Sequence, residues 1–322
     1  MKDRVRESAN ELSREGELRE RSFKPRKKIK AEAIIGLCGA LLPLVGFVIF
    51  NVFPIALSFG AMFCDVEYGQ IDTMAWNNFA NFSAAFTDPR FLHSIGITLW
   101  LASAQFVSLA IALFIAWLLS KKRFGSRVFQ ILYFIPYVCS SVAVSVMWST
   151  VFSYNGVLNQ IFGNDLNWFN NPSYTGTLTW AIFISIVWQS PGYGIVMYKA
   201  AFAAVNPALY EAAKIDGAGE WKQFRYITLP GIAPTTFFLL MAGIGAGLTI
   251  FDPAKLLAPV AWDGLAGLDD MGLTVSYYIY IRTNTYLDMT KASVMSWALF
   301  AVAFSLQLLI YKIRNRSMKD EY

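Results

Sequence analysis

The amino-acid sequence predicts an all-α integral membrane protein: six transmembrane helices and, between the fourth and fifth, a cytoplasmic loop that folds as two short helices. Three observations carry this. Only 15% of the 322 residues are charged and 56% are hydrophobic, whereas a soluble domain of this length carries about a quarter charged residues. The charges avoid six long stretches, each able to hold the ~20 apolar residues that cross a ~30 Å hydrocarbon core as a helix. The cations gather in alternate connections, as membrane topology requires.

No Asp, Glu, Lys or Arg lies between Glu32 and Asp65, Arg90 and Lys121, Arg127 and Asp165, Asp165 and Lys199, Arg225 and Asp252, or Lys291 and Lys312. These gaps place spans near 33–62, 91–119, 128–151, 177–198, 227–250 and 292–311. Their continuity favours helices, because a barrel strand alternates apolar and polar residues over roughly ten positions. The first span is too long for the 7–15-residue apolar region of a cleavable signal peptide, and a charged segment precedes it.

Of the 27 cations, 23 fall in residues 1–30, in the connection holding Lys121, Lys122, Arg123 and Arg127, in that holding Lys199, Lys214, Lys222 and Arg225, and in the final Lys312, Arg314, Arg316 and Lys319. Only Arg90, Lys255, Arg282 and Lys291 fall on the other side. Both termini are therefore expected in the cytoplasm. The domain reading is a charged tail over 1–30, a membrane domain over 31–313 that contains the loop 206–230, and a short tail over 314–322. The first tail mixes Glu and Arg at helical spacing and ends in Lys24-Pro25-Arg26-Lys27-Lys28. A solvated helix is expected there, with contact to anionic lipid headgroups as the alternative.

The net charge of +5 records topology and points to no nucleic-acid partner. The outer loops are rich in Asn and aromatics, around Trp76-Asn77-Asn78 and Asn167-Trp168-Phe169-Asn170-Asn171-Pro172. Such residues suit a headgroup-level belt, and they also suit a sugar or a delivery protein. Cys38, Cys64 and Cys139 lack metal-ligand spacing and read as small buried hydrophobes. The single histidine, His93, sits at the outer edge of the second span, so histidine-dependent triads and metal sites are disfavoured. The sequence contains no Gly-x-x-x-x-Gly-Lys-Ser/Thr loop, the device that cradles nucleotide phosphates. The spans as drawn hold no ionisable residue that could mark a proton or ion pathway. Energy for uphill transport would then come from a partner.

The loop at 206–230 indicates how. Asn206 is a helix N-cap and Pro207 a favoured first helical residue. Helix formers run on to Ile215. Gly217 is free to take positive φ and close that helix, and Asp216 or Gly219 begins the next. Two short helices at an angle form a rigid knob, which can transmit motion where a soft loop would absorb it. Glu211-Ala212-Ala213, Asp216-Gly217-Ala218, Trp221, Phe224, Ile227, Leu229-Pro230 and Pro234 resemble the "EAA" signature of ATP-driven (ABC-type) importer permeases. The Asp-Gly-Ala and Leu-Pro elements are similar to the binding-protein-dependent carbohydrate-uptake branch. Pro43 and Pro54 in the first span and Phe251-Asp252-Pro253 resemble its MalF-like half rather than the MalG-like half. The resemblance covers nearly everything after the tail. One departure stands out: the family's Gly-Gly-Pro element after Phe251-Asp252 is replaced by Leu256-Leu257-Ala258-Pro259 and Gly264-Leu265-Ala266-Gly267.

The resemblance implies a subunit of a bacterial plasma-membrane importer that does not itself hydrolyse ATP. ATP and Mg would be bound by separate ATP-binding subunits, with Glu211 near a basic residue of that partner. A MalG-like second permease subunit, an extracytoplasmic solute-binding protein and membrane lipid complete the implied partners. Closure of the ATPase pair would rock the spans from inward-facing to outward-facing. Sugar contacts would come from polar and aromatic side chains in the spans. Trp148, Gln189, Tyr193, Tyr198 and Asp252 are the candidates, with helix packing as the competing role of each. Alternatives are a permease for a peptide, an amino acid or a phosphorylated polyol, and a non-transporting membrane scaffold.

Overall fold

The computed structural model describes residues 28–66, 74–121, 125–169, 171, 176–258 and 264–319. The charged tail up to residue 27, Lys122, Arg123, Asn170, Pro172, Pro259 and residues 320–322 lie outside the described residues. The chain divides into two units, residues 1–58 and 59–322.

The first unit holds α1 (Lys28–Phe47), a π turn over Val48–Val52 and the start of α2 (Phe53–Ala61). The π turn has a local cause. Pro54 has no N–H, and its ring crowds the carbonyl four residues earlier, so the turn widens. The Phe53 N–H then reaches Val48 O, five residues back. Ile35, Leu42 and Phe50 are among its many exposed apolar side chains, as expected of a helix that meets hydrocarbon or another membrane helix.

In the second unit, a two-residue β pair (β1 Cys64–Asp65, β2 Ala75–Trp76) and α3 (Ala80–Phe86) lead into α4 (Pro89–Ser120). Asp88 caps α4 by accepting from the Arg90 N–H. Next come α5 (Ser126–Val138), α6 (Ser141–Val151), α7 (Val157–Phe162), α8 (Thr177–Gln189) and α9 (Pro191–Ala204). The knob is α10 (Pro207–Ile215) and α11 (Glu220–Gln223), followed by a second π turn over Phe224–Thr228 and the single turn α12 (Leu229–Gly231). The chain finishes with α13 (Ala233–Leu248), α14 (Asp252–Leu257), a 3₁₀ turn (Leu268–Asp270), α15 (Val275–Asn284) and α16 (Met289–Lys319).

Among the described residues five helical stretches are long and apolar enough to cross a membrane: Ile34–Ala61, Pro89–Ser120, Thr177–Ala204, Ala233–Leu257 and Met289–Asn315. The third span read from the sequence is not one straight helix. It is α5 and α6, bent by 97°. Pro136 withholds a hydrogen bond from the last turn of α5, and Cys139 and Ser140 are extended (ψ 146° and 132°). At 1.5 Å per residue neither half exceeds about 20 Å, so neither spans alone.

Two boundaries also move. Lys199, assigned above to a cytoplasmic connection, lies inside Thr177–Ala204, where its Nζ donates to Gln130 Oε1 at 2.6 Å. Asp252 and Lys255 fall inside Ala233–Leu257. The spans therefore do contain ionisable residues. Long side chains near a helix end can keep a polar partner or reach the interface, so a charge does not mark where a helix stops.

α4 is the central post of this unit, packed against α9 on one side and α13 on another. Small residues bring the backbones together. A Cβ on Gly194 would sit 2.8 Å from Ala112 Cβ, and one on Gly247 would sit 3.0 Å from Ala102. Without a hydrophobic drive between helices in lipid, such close approach is what holds membrane helices in contact.

Candidate functional site

The knob is built as its residues dictate. Asn206 Oδ1 accepts from the Ala208 N–H at 3.0 Å, and Pro207 follows as the first helical residue. At the other end Gly217 takes φ +73°, which lets the Ala218 N–H turn back to Ala213 O at 2.8 Å and the Gly217 N–H to Lys214 O at 3.1 Å. These bonds satisfy carbonyls that the end of α10 would leave bare. Gly219 is extended and starts α11 at Glu220. Gln223 Nε2 donates to Ala218 O at 2.7 Å, and the Tyr210 and Thr228 hydroxyls meet at 2.9 Å, closing the knob on itself.

Its surface is unusual for a polypeptide facing water. Leu209 (52% exposed), Ile215 (87%), Trp221 (67%) and Tyr226 (75%) stand out from it. Glu211, Ala212, Asp216, Gly217 and Pro230 are exposed, and Ala213, Ala218 and Leu229 are half-buried. Phe224 alone among the predicted knob residues is buried. Exposed apolar side chains grouped in this way are found at protein-interaction and membrane-interaction sites.

The spans enclose two adjoining cavities. One, of about 240 Å³, is walled by Gln105, Ser141, Gln189, Ser190, Thr249 and Asp252 among others. The other, of about 230 Å³, is walled by Gln105, Ser108, Tyr137, Ser190, Tyr193 and Gly194 among others. Gln105, Ser190 and Ala246 line both. The bend between α5 and α6 is what delivers Ser141, and Gln189 Nε2 reaches Cys139 O across that bend at 3.4 Å. Tyr193 stacks on Tyr137 with ring centres 5.5 Å apart.

Three of the five substrate-path candidates thus converge: Gln189 and Asp252 on one cavity and Tyr193 on its neighbour. Two do not. Tyr198 is 1% exposed, packed among Ala112, Ala116, Ile195 and Leu239. Trp148 stacks on Phe152 at 5.0 Å and lines an apolar groove with Trp180 and Trp188. Gln105, Ser108, Ser141, Ser190 and Thr249 were missed. Gln105, Ser108 and Thr249 are lone polar side chains in apolar runs, and Ser141 and Ser190 are small hydroxyls beside Ser140 and Gln189 with no periodic sign that they face inward.

The far end of the bundle holds a polar network that the sequence also hid. Arg90 is bidentate to Asp270, at 2.6 Å from Nε and 2.8 Å from Nη2, and its Nη2 also donates to Gly264 O. Arg282 pairs with Asp88 at 2.5 Å, the Tyr278 hydroxyl donates to the same carboxylate at 2.6 Å, and Lys291 pairs with Asp288 at 3.1 Å. Burial alone would raise the Asp88 carboxyl, but hydrogen bonds from Tyr278 and Arg282 outweigh it and hold it below its ordinary value. Burial, then the bond to Asp88, push the Tyr278 phenol up to about 12, so it stays a donor. Asp288 is likewise lowered: burial opposes the shift, and the Lys291 backbone and side-chain bonds prevail.

The unit thus carries an exposed two-helix knob at one end, cavities of mixed polar and apolar lining in the middle and an ion-paired far end. The sequence profile of the family described as "Binding-protein-dependent transport system inner membrane component" matches residues 108–316, and the chain belongs to that family. It is 29% identical over 300 residues to the "Probable ABC transporter permease protein YesP" of Bacillus subtilis, covering 90% of this chain and 94% of that protein. It is 27% identical over 278 residues to the "Lactose transport system permease protein LacF" of Rhizobium radiobacter, covering 83% and 90%. Among solved structures it resembles a chain of a bacterial alginate ABC transporter, crystallised with an alginate pentasaccharide-bound periplasmic protein. There the TM-score is 0.75 at 25% identity, over 91% of this chain and 98% of that one. The chain is a multi-pass permease subunit of a binding-protein-dependent transporter.

Proposed function

We propose that this subunit carries a sugar or oligosaccharide inward through the membrane, received from an extracytoplasmic binding protein and driven by a separate ATPase seated on the knob. The observation that carries the proposal is the knob itself. The full spaced set from Glu211 to Pro230 runs over two short helices, the turn between them and the turns that follow, with apolar side chains exposed. Its residues Glu211, Asp216 and Gly217 face outward, as a docking surface needs. ATP and Mg belong to the ATPase, since this sequence has no phosphate-cradling loop. A second, MalG-like permease completes the path, and the termini face the cytoplasm.

Sugar is favoured as cargo by the character of the cavity walls. Amides at Gln105 and Gln189, hydroxyls at Ser141, Ser190 and Thr249, and the stacked Tyr137 and Tyr193 rings offer what hydroxyls and pyranose faces take up. The names of relatives that carry lactose or alginate support the same reading.

Co-purification tests the docking role. Wild-type chain expressed with a second permease, an ATPase subunit and a solute-binding protein retains the ATPase and drives uptake of labelled oligosaccharide. Glu211→Lys, which sets a cation against the partner's basic residue, lowers ATPase recovery about tenfold. Uptake by Glu211→Lys at the wild-type rate, with the ATPase still bound, would refute it. Orientation is read separately. A cysteine at Asn171 is labelled by an impermeant thiol reagent in spheroplasts and one at Ser126 is not, and the reverse pattern overturns the topology.

A further inference from the structure

We propose that Trp117 and Lys121, at the C-terminal end of α4, are positioning residues that lock the knob to the cavity-forming core, so that a push on the knob turns the core as one body. This rests on the permease reading above. The chain itself connects the knob to only two helices of that core, α9 before it and α12–α13 after it. α4 supplies Gln105 and Ser108 to the cavity walls but has no chain connection to the knob.

Side chains make the missing joint. Lys121 Nζ lies 2.6 Å from Glu220 Oε2, on the first residue of α11, and 4.3 Å over the Trp117 ring. The Trp117 ring lies 5.2 Å from Phe224, which is 8% exposed. Phe224 in turn stacks at 5.6 Å on Trp221, the exposed ring of the knob. A line of three aromatic rings therefore runs from the docking surface to α4. From Trp117 to Gln105 is a straight run of helix, about 18 Å long.

Stiffness decides what this joint does. On the core side the helices are already in backbone contact, at Gly194 against Ala112 and Gly247 against Ala102. On the knob side α11 is four residues long and its own bonds, such as Gln223 Nε2 to Ala218 O, tie it to the rest of the knob and not to α4. Without the joint, the rigid knob pivots on its connections to α9 and α12, and motion is lost before it reaches α4. The rings carry more of this than the ions, because the Glu220 side chain is 73% exposed and exposed pairs hold little.

The test uses the assembled complex, with its second permease and ATPase subunits, in lipid nanodiscs and proteoliposomes. Solute moved per ATP hydrolysed is measured beside ATPase retention. Trp117→Ala lowers that ratio roughly five- to tenfold with the ATPase still bound, and Trp117→Phe restores most of it. Lys121→Glu and Glu220→Lys each lower it by less, and the double exchange recovers it. A wild-type ratio in Trp117→Ala overturns the proposal. Loss of the bound ATPase in Trp117→Ala also overturns it, by placing Trp117 in the docking surface. A wild-type complex that moves no solute instead removes the permease reading, and the lock with it.

Discussion

The two ends of the bundle are finished differently. At the far end three aspartates and three cations pair among themselves, with Asp88, Arg90, Asp270, Arg282, Asp288 and Lys291 joining the starts of α4 and α16 to α15 and the 264–270 segment. At the knob end, among the described residues, the ion pair of Lys121 with Glu220 stands beside the exposed apolar side chains of Leu209, Ile215, Trp221 and Tyr226. Exposed apolar groups of this kind are found at interaction sites. The far end satisfies its charges within the chain, while on the proposal above the knob end is completed by the ATPase.

That contrast can be broken. Gly217→Pro should have the largest effect: uptake is abolished while the chain is recovered from membranes at the normal level. φ +73° is closed to proline, which also removes the Gly217 N–H bond to Lys214 O, while no neighbouring side chain lies where a Cβ would go. Local strain of ~1–3 kcal/mol re-aims two short helices without unfolding a membrane bundle. Normal uptake would show that the knob's angle is irrelevant.

Asp88→Ala should do the opposite. It takes from Arg282 its closest carboxylate, leaving Asp288 at 4.0 Å, in a site where the Arg282 and Asp88 side chains are 21% and 11% exposed, and it removes the cap of α4. A loss of about 3 kcal/mol is expected in thermal unfolding, with the coupling ratio unchanged. Adding Arg282→Ala should cost less than the sum of the two single changes. A fully additive pair would mean that the network is not a unit.

The smallest effect is with pH. Asp88 and Asp288 titrate below their ordinary value when folded, so at intermediate pH the unfolded chain binds more protons and stability rises with pH. Their stabilisation is complete above the unfolded value of about 3.9 and fades as pH falls through the folded values. Hydrogen-exchange protection across 264–291, corrected for the intrinsic rate at each pH, should be flat near neutrality and fall below about pH 4, with that of 206–218 unaffected. Loss of protection first in 206–218 would reverse the comparison.

What the sequence displays depends on how far apart the partners lie along it. Asn206, Pro207 and Gly217 act on residues within a turn of themselves, so the caps of α10 were legible. Charge-free runs gave away the membrane helices for the same reason. Arg282 and Asp88 are 194 positions apart and Arg90 and Asp270 are 180 apart. In sequence each is simply a polar residue in a loop. The bend at Cys139 had a proline beside it, but a proline alone also fits a mild kink, and 97° is set by packing. The cavity lining was least visible, because a span apolar on every face gives no periodic sign of which residue looks inward.

An α-helical path through Phe224–Thr228 would hold one residue fewer. There the Leu229 N–H reaches back five positions to Phe224 O, and Pro230 shortly after it leaves the turn wide. Each residue of an α-helix turns the chain by about 100°. Removing a single residue from this stretch would swing the knob that far around the axis of the following helix, with every contact residue still present in the sequence. Chain length in this segment, counted residue by residue, therefore sets the direction in which the knob points as firmly as its side chains set what it presents.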